Sequence, residues 1–139
     1  MKTVLYKNFP DCAKEIREAV FIKEQGFQSE FDETDGKAVH LVAFDNGGMP
    51  VATCRVFLDD ITDSYTLGRL AVLKAYRHQK LGSLLVEAAE EYVKSMGGKT
   101  LILHSQCQAA AFYRGLGFAE YGDVEDDQGC PHIWMRKAF

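Results

Sequence analysis

Alternating apolar and polar residues along the first half of the chain predict four strands. They lie at residues 3–7, 38–45, 51–58 and 65–73. Asn46-Gly47-Gly48 separates the second strand from the third and predicts a hairpin, because these residue types accept the backbone angles of a tight turn. Apolar residues at helical spacing predict a helix over residues 12–25, and the polar, acidic residues 26–36 predict a loop with at most a helical turn.

The clearest helix covers residues 81–93, where apolar residues recur at intervals of three and four until Gly97-Gly98 ends the pattern. The remaining patterns predict a strand at 100–104, a short helix at 107–116 and strands at 118–121 and 132–136. The order β-α-β-β-β-α-β-α-β-β predicts a single α/β (α+β) domain over residues 1–139. Its sheet should be mixed but mostly antiparallel, with about seven strands flanked by helices.

Composition narrows the class of protein. The chain has 139 residues, 47% of them hydrophobic, and needs neither disulfides nor metal to build a core. Its four cysteines lie far apart without a CxxC pair, so we expect reduced, mostly buried thiols. No apolar run approaches the ~20 residues that span a bilayer, and the first residues have no signal-peptide pattern. These features predict a cytoplasmic protein that does not bind membranes.

A formal net charge of −4 argues against nucleic-acid binding, which normally requires a basic excess. Residues 64–86 nevertheless carry four basic side chains and no acidic one, at Arg69, Lys74, Arg77 and Lys80. This stretch leads into the 81–93 helix, whose first amides and positive dipole end favour an anionic phosphate. The plainer interpretation is a strand–loop–helix joint with solvated basic side chains.

The same stretch carries a resemblance to a known family. Leu70-Ala71-Val72, followed by Arg77-x-x-Lys80-x-Gly82, resembles the pyrophosphate-binding motif of the GNAT superfamily of acyl-CoA N-acyltransferases. Lys80 stands where the superfamily most often has Gly. We expect Lys80 to adopt helical backbone angles in the first turn, so that its amide still binds phosphate.

A second signature lies downstream. Gln106-x-x-Ala109-x-x-Phe112-Tyr113-x-x-x-Gly117-Phe118 resembles the superfamily pattern, in which Asn stands in place of Gln106. Further stretches are similar to the ElaA-like branch: Arg17-x-x-Val20-Phe21-x-x-Glu24-Gln25, residues 35–40, His104-x-Gln106 and Gly129-x-Pro131-His132. The resemblance extends over nearly the whole chain.

The resemblance implies direct attack of a primary amine on the thioester of acetyl-CoA, without a covalent acyl-enzyme. The amine would belong to a small molecule or a peptide. Two strands would splay apart, and main-chain groups of residues 70–72 would hold the pantetheine arm between them. The cofactor-binding residues implied are Leu70, Ala71, Val72, Arg77, His78, Gln79, Lys80, Leu81, Gly82, Ser83, Gln106, Ala109 and Phe112.

The resemblance also suggests catalytic roles. Tyr113 aligns with the family tyrosine that protonates the leaving thiolate; otherwise it would pack passively at the helix–sheet joint. The general base would be Glu24, whose pKa would rise in an apolar cleft, or His132, or a chain of water molecules. We interpret His40 and His104 as structural, and the absence of an HxH or HxxxH pair predicts no metal site.

Acidic residues predict a cationic acceptor, such as a polyamine, an amino sugar or a basic peptide, if they line the mouth of the cleft. They are Glu24, Glu30, Asp32, Glu33 and Asp35 before the second strand, and Glu125, Asp126 and Asp127 before the last. Solvated loops are commonly acidic as well. A CoA-binding or regulatory module without turnover and a purely structural protein stay open as alternatives, and so does a homodimer.

Overall fold

The computed structural model describes residues 1–28 and 31–139. The strands are β1 (Lys2–Tyr6), β2 (Val39–Phe44), β3 (Pro50–Asp59), β4 (Ser64–Val72), β5 (Thr100–Gln106), β6 (Ala119–Asp127) and β7 (Cys130–Ala138). The α-helices are α1 (Asp11–Arg17), α2 (Leu81–Ser95) and α3 (Ala110–Gly115). This order confirms the predicted fold class, and β6 and β7 extend beyond their predicted limits.

The strands form one sheet in the order β1-β2-β3-β4-β5-β7-β6. Neighbouring strands run antiparallel except β4 and β5, which are parallel. The parallel pair is registered at Tyr65↔Leu101, Thr66↔Ile102 and Leu67↔Leu103. Beyond these positions β4 runs on to Val72 and β5 to Gln106 without pairing with each other. The sheet therefore opens between them, which confirms the splayed strands that the resemblance implies.

Helices cover both faces of the sheet. Buried side chains of α2 at helical spacing, among them Leu85, Ala89 and Val93, pack on one face. Successive residues of a strand point to opposite faces, and in β2 Leu41 packs in the cluster of α2 whereas Val42 packs in that of α1. At β2 the sheet is thus covered by α2 on one face and by α1 on the other, whereas β6 is exposed.

The predicted α-helix over residues 12–25 is wrong in its second half. After α1 the chain continues as a π-helix over Glu18–Glu24. Gln25 N donates to Val20 O at 3.0 Å, five residues back, as the wider turns of a π-helix require. The wider turn places both Val20 and Phe21 in the core. Apolar spacing alone does not distinguish the two helix types.

Two acidic residues before β2 pair with arginines, and the pairs of Asp35 are buried. Asp35 accepts hydrogen bonds from Arg17 Nη1 at 2.7 Å and from Arg55 Nη1 at 2.9 Å, and these three side chains are at most 7% exposed. Asp32 accepts from Arg55 Nη1 at 2.6 Å and from Arg69 Nη2 at 3.3 Å. Burial alone would raise the pKa of Asp35, but the hydrogen bonds from Arg17 and from Asp32 N outweigh it and hold the pKa at about 2.

Asp32 and Asp35 are therefore not free carboxylates that would attract a cationic acceptor, because arginines from α1 and the sheet pair with them. Glu33 is exposed in a 3₁₀ turn over Glu33–Gly36, which confirms the expected helical turn. Glu30 lies outside the described residues.

One of the four cysteines is fully buried. All four are free thiols, but Cys12, Cys107 and Cys130 are partly exposed and Cys54 alone lies in the core. The expectation of mostly buried thiols is wrong, because these three residues lie at the ends of elements, where the chain leaves the core. Across residues 1–28 and 31–139, no helix combines the length and the apolar character needed to cross a membrane.

Candidate functional site

A cleft of about 710 Å³ lies where β4 and β5 part, within the size range of small-molecule and cofactor sites. Its lining includes the predicted site residues Leu70, Ala71, Val72, Arg77, His78, Lys80, Leu81, Gly82, Ser83, Gln106, Ala109, Phe112, Tyr113 and His132. Glu24 and Gln79 do not line it. The fold thus brings β4, the loop before α2, the β5–α3 segment and β7 to one place.

The loop that leads into α2 has an unusual backbone. His78 and Lys80 adopt left-handed conformations, with φ of +65° and +63°. The expected helical angles at Lys80 are therefore wrong: Lys80 is the N-cap residue, and α2 begins at Leu81. Left-handed residues in such turns are typical of concavities in which backbone amides bind an anion.

Backbone strain is concentrated around the cleft. Five non-glycine residues of the described chain have positive φ, and four of them line the cleft: Arg69, His78, Lys80 and Gln128. Arg69 lies in β4 where its pairing with β3 shifts register. Each such residue costs on the order of 1–3 kcal/mol, so the surrounding structure must enforce it, as commonly occurs at functional sites.

The charged lining of the cleft is mainly basic. Arg69, Arg77 and Lys80 line it, although Asp32 and Glu24 pair with the two arginines from outside the lining. Asp127 is the one carboxylate among the described lining residues. The N-terminus of α2 adds a partial positive charge at the same end. This arrangement agrees with the predicted anion-binding stretch and suits a phosphate-bearing ligand.

Tyr113 is a buried tyrosine of the cleft lining. It is 7% exposed, and its ring packs edge-on against Phe112 and Phe118 at centroid distances of 5.0 and 5.9 Å. Burial, with a smaller contribution from nearby Cys54, raises the pKa of the phenol above its ordinary value of 10. The hydroxyl therefore stays protonated at neutral pH and can act as an acid, not as a base.

Gly82 allows α2 and α3 to approach each other. A Cβ atom at Gly82 would lie 3.0 Å from Phe112 Cζ, closer than ordinary side-chain contacts allow. Both residues line the cleft, so a larger side chain at position 82 would displace the ring into the space that a ligand needs.

The carboxylate of Glu24 is held in an ion pair. Arg77 donates from Nη1 and Nη2 to its two oxygens, both at 2.6 Å, and from Nε to Val72 O at 3.0 Å. The hydrogen bonds from Arg77 lower the pKa of Glu24 from its ordinary value of 4.5. The expected rise is wrong because a guanidinium, not an apolar wall, faces the carboxylate. Glu24 is thus a poor proton acceptor at neutral pH.

The amide of Gln106 belongs to a network of three glutamines in the cleft lining. Gln106 Nε2 donates to Gln25 Oε1 at 2.9 Å, and Gln108 Nε2 donates to Gln106 Oε1 at 2.8 Å. Gln25 and Gln108 were not predicted as site residues. Gln25 lies within a motif that carries the resemblance, and this motif could have indicated it as a site residue. No motif indicates Gln108.

Of the three histidines that line the cleft, His104 and His132 lie with their ring centroids 4.9 Å apart. His132 is 7% exposed, and its Nδ1 lies 2.8 Å from Cys130 O. Because a carbonyl oxygen only accepts, Nδ1 carries a proton, and in the neutral form of the ring Nε2 is the acceptor. His104 was expected to be structural but lines the cleft, stacked on Trp134 at 4.5 Å; burial and His132 lower its pKa. His40 is buried, as expected of a structural residue.

Comparison with known proteins decides the family. The chain matches the acetyltransferase (GNAT) domain family over residues 10–139. The chain belongs to this GNAT family. It is 41% identical over 130 residues to a Bacillus subtilis protein whose name provisionally calls it an acetyltransferase, covering 90% of this chain and 86% of that protein.

Two further relatives confirm the GNAT resemblance. Escherichia coli ElaA is 30% identical over 128 residues, which cover 88% of this chain and 83% of ElaA. The crystal structure of ElaA superposes with a TM-score of 0.86 at 25% identity and 98% coverage of both chains. An acyl-CoA N-acyltransferase from Pseudomonas aeruginosa gives a TM-score of 0.85 at 25% identity and 99% coverage of both chains.

The left-handed backbone at Lys80 explains why the GNAT motif most often has Gly there. We expect Lys80→Gly to raise the free energy of unfolding by about 0.5–1 kcal/mol, since relief of the strained backbone exceeds the added flexibility of the unfolded chain. The same variant should bind acetyl-CoA roughly 3- to 10-fold more weakly, because a cationic donor is lost. Urea unfolding and calorimetry measure the two effects.

Lys80→Ala is the matched control for this prediction. It removes the ammonium but keeps a Cβ in the left-handed conformation, so it should lose acetyl-CoA affinity without gaining stability. Equal stability of the Gly and Ala variants would contradict the strain at Lys80, and wild-type affinity in both would contradict a role of its charge.

Proposed function

We propose that this GNAT protein is an acetyl-CoA-dependent N-acetyltransferase that moves an acetyl group directly to a primary amine of a small molecule or peptide. The observation that carries the proposal is the cleft between β4 and β5, with a basic loop at one end and the protonated hydroxyl of Tyr113 in its lining. An extended, phosphate-bearing thioester suits this combination of open strand edges and positive charge.

The cleft residues fit an acyl-CoA in two parts. Main-chain groups of residues 70–72 on the edge of β4 away from β3 do not pair with β5. Apart from Val72 O, which accepts from Arg77 Nε, they would bond the pantetheine arm and the thioester carbonyl. Backbone amides from His78 to Ser83, together with the side-chain ammonium of Lys80, would hold the pyrophosphate. When bound, acetyl-CoA supplies the activated acyl group.

Two side chains of the cleft can manage the protons of the transfer. His132 Nε2 accepts a proton from the ammonium, which leaves the amine lone pair free to attack the thioester carbon. As the C–S bond breaks, Tyr113 donates its proton to the departing thiolate. Tyr113 then recovers a proton from solvent, and His132 releases to solvent the proton that it took from the ammonium. The attacked nitrogen loses a second proton to solvent as the amide forms, so the ammonium gives up two protons, the thiolate takes one, and the transfer releases one proton overall.

Direct transfer, without an acyl-enzyme, is supported by the state of the thiol near Tyr113. Cys54 is 1% exposed, and burial raises its pKa to about 12. A nucleophilic cysteine needs its thiolate form near neutral pH, which burial disfavours here. We therefore expect no acetylated protein when the chain is incubated with acetyl-CoA alone, as intact mass spectrometry would measure.

A positively charged acceptor is supported by one carboxylate, that of Asp127 in the cleft lining. Asp32 and Asp35 do not contribute, because arginines neutralise them. The acceptor we propose is thus a primary amine whose cation approaches along the β6–β7 side of the cleft.

A panel of amines tests the function. With acetyl-CoA and polyamines, amino sugars or basic peptides, we expect release of the CoA thiol that depends on the amine, together with the acetylated amine by mass spectrometry. Reactions without amine serve as the control. Tight binding of acetyl-CoA with no turnover across the panel would favour the non-catalytic CoA-binding module, and equal thiol release without amine would indicate hydrolysis.

A further inference from the structure

Glu24 and Gln25 close a motif of the sequence that the proposed reaction does not use. They are adjacent residues at the end of the π-helix, yet each contacts a different side of the cleft. Glu24 binds Arg77, beyond the end of β4, and Gln25 binds Gln106, at the end of β5. The two residues therefore bridge the strands at the point where they have parted.

On the β4 side, Glu24 fixes the plane of a guanidinium. Arg77 has five N–H groups, of which three donate to Glu24 and to Val72 O. Two N–H groups remain for a ligand. The side chains of the ion pair are 32% and 35% exposed, so solvent screening leaves it little weight in stability. Its consequence is the orientation of Arg77.

On the β5 side, Gln25 orients an amide in the same way. Gln106 Nε2 carries two N–H groups and uses one on Gln25, while its Oε1 is occupied by Gln108. The side-chain carbonyl oxygen and the amide nitrogen of Gln106 are thereby held in fixed directions. One N–H group remains, and Gln106 lines the cleft.

We propose that Glu24 and Gln25 are positioning residues for the cofactor. Glu24 holds Arg77 so that its remaining N–H groups serve the pyrophosphate, and Gln25 holds Gln106 so that its remaining N–H serves the pantetheine arm. Glu24 ends the π-helix and Gln25 caps it, so two consecutive residues reach partners beyond the ends of two different strands. The inference rests on the proposed function in so far as the ligand is an acyl-CoA.

The test shortens each side chain by one methylene and measures binding. Glu24→Asp keeps the negative charge but loses its reach to Arg77, and Gln25→Asn keeps the amide but loses its reach to Gln106. Calorimetry compares acetyl-CoA with adenosine 3′-phosphate 5′-diphosphate, the part of CoA that carries the pyrophosphate without the pantetheine arm. Binding requires no acceptor amine, so the measurement does not depend on turnover.

The two variants should differ in which ligand they affect. Gln25→Asn should weaken acetyl-CoA binding roughly 3- to 10-fold and leave the nucleotide within twofold, since only acetyl-CoA has the arm. Glu24→Asp should weaken both ligands by a similar factor, and adding it to Arg77→Ala should cause no further loss. Gln25→Glu keeps the length of the side chain and its acceptor oxygen, so it should bind acetyl-CoA as tightly as the wild-type chain does.

Glu18→Asp is the matched control, because Glu18 lies on the same π-helix and pairs with the exposed Lys23 instead. It should leave both affinities unchanged. Equal losses of both ligands in Gln25→Asn, with a lower melting temperature, would overturn the proposal in favour of a structural role. If both shortened variants bind with wild-type affinity, the proposed positioning role is wrong but the proposed function is unaffected. If the wild-type chain binds neither ligand, the proposed function is wrong as well.

Discussion

Replacing Tyr113 with Phe should lower kcat for acetyl transfer about 100-fold or more, with little change in acetyl-CoA affinity. The substitution removes the hydroxyl and keeps the ring packed against Phe112 and Phe118, so the melting temperature should hardly change. Because burial raises the pKa of Tyr113 above 10, the wild-type rate should show no loss of this acid as pH rises toward 10. Single-turnover transfer to an amine found in the panel measures the effect.

Tyr92→Phe provides the control for this substitution. Tyr92 lies on α2, packs against Tyr65 at a centroid distance of 6.5 Å and does not line the cleft, so kcat should stay within about twofold. Near-full kcat in Tyr113→Phe would show that water protonates the thiolate. Loss of acetyl-CoA affinity in proportion to rate would show that the hydroxyl anchors the cofactor.

Asp35→Ala should lower the free energy of unfolding by about 3–5 kcal/mol, the cost of removing one partner from a buried ion pair. Asp35 accepts hydrogen bonds from both nitrogens of Arg17, at 2.7 and 3.1 Å, and from Arg55 Nη1 at 2.9 Å. Without the carboxylate, two buried guanidinium groups lose the charge that they share. Urea unfolding at pH 7 measures this loss.

The same carboxylate should make stability depend on acidic pH. The pKa of Asp35 is about 2 in the folded chain against an ordinary 3.8, so the unfolded chain binds more protons between these values. Its contribution is therefore complete above about pH 4 and disappears as pH falls from 3.8 toward 2, and Asp35→Ala should lose less stability over that range. Asp60→Ala, which removes an exposed carboxylate 3.6 Å from Lys37, should cost less than about 1 kcal/mol. Equal stability of the two Ala variants would refute the buried pairing.

Local patterns were sufficient for the element order and for the position of Tyr113. Both depend on side-chain spacing within one element, such as the apolar stripe of α2 or the short helix that carries Tyr113. Many residues lining the cleft were found because two motifs mark the loop before α2 and the start of α3. These segments follow β4 and β5, whose C-terminal ends lie at the same edge of the sheet because the two strands are parallel.

The errors concern features that depend on distant partners or on backbone strain. Glu24 and Arg77 are 53 residues apart, and Arg55 lies 20 residues from Asp35, so no periodicity indicates that these charges pair. The left-handed angles of Lys80 are imposed by the chain on both sides of it, against the preference of its own side chain. A motif with Gly at that position was the one sequence signal for such a conformation.

The opening between β4 and β5 also determines where the sheet would separate during partial unfolding. Two antiparallel ladders, β1 to β4 and β5 with β7 and β6, meet at three registered pairs in the parallel seam between them. We expect native-state hydrogen exchange to divide the sheet into two cooperative units along this seam. A ligand in the cleft contacts both units, and at 100 times its Kd it would add about 2.7 kcal/mol to their protection together. The weakest seam of the sheet is thus the one that a ligand bound in the cleft would stabilise.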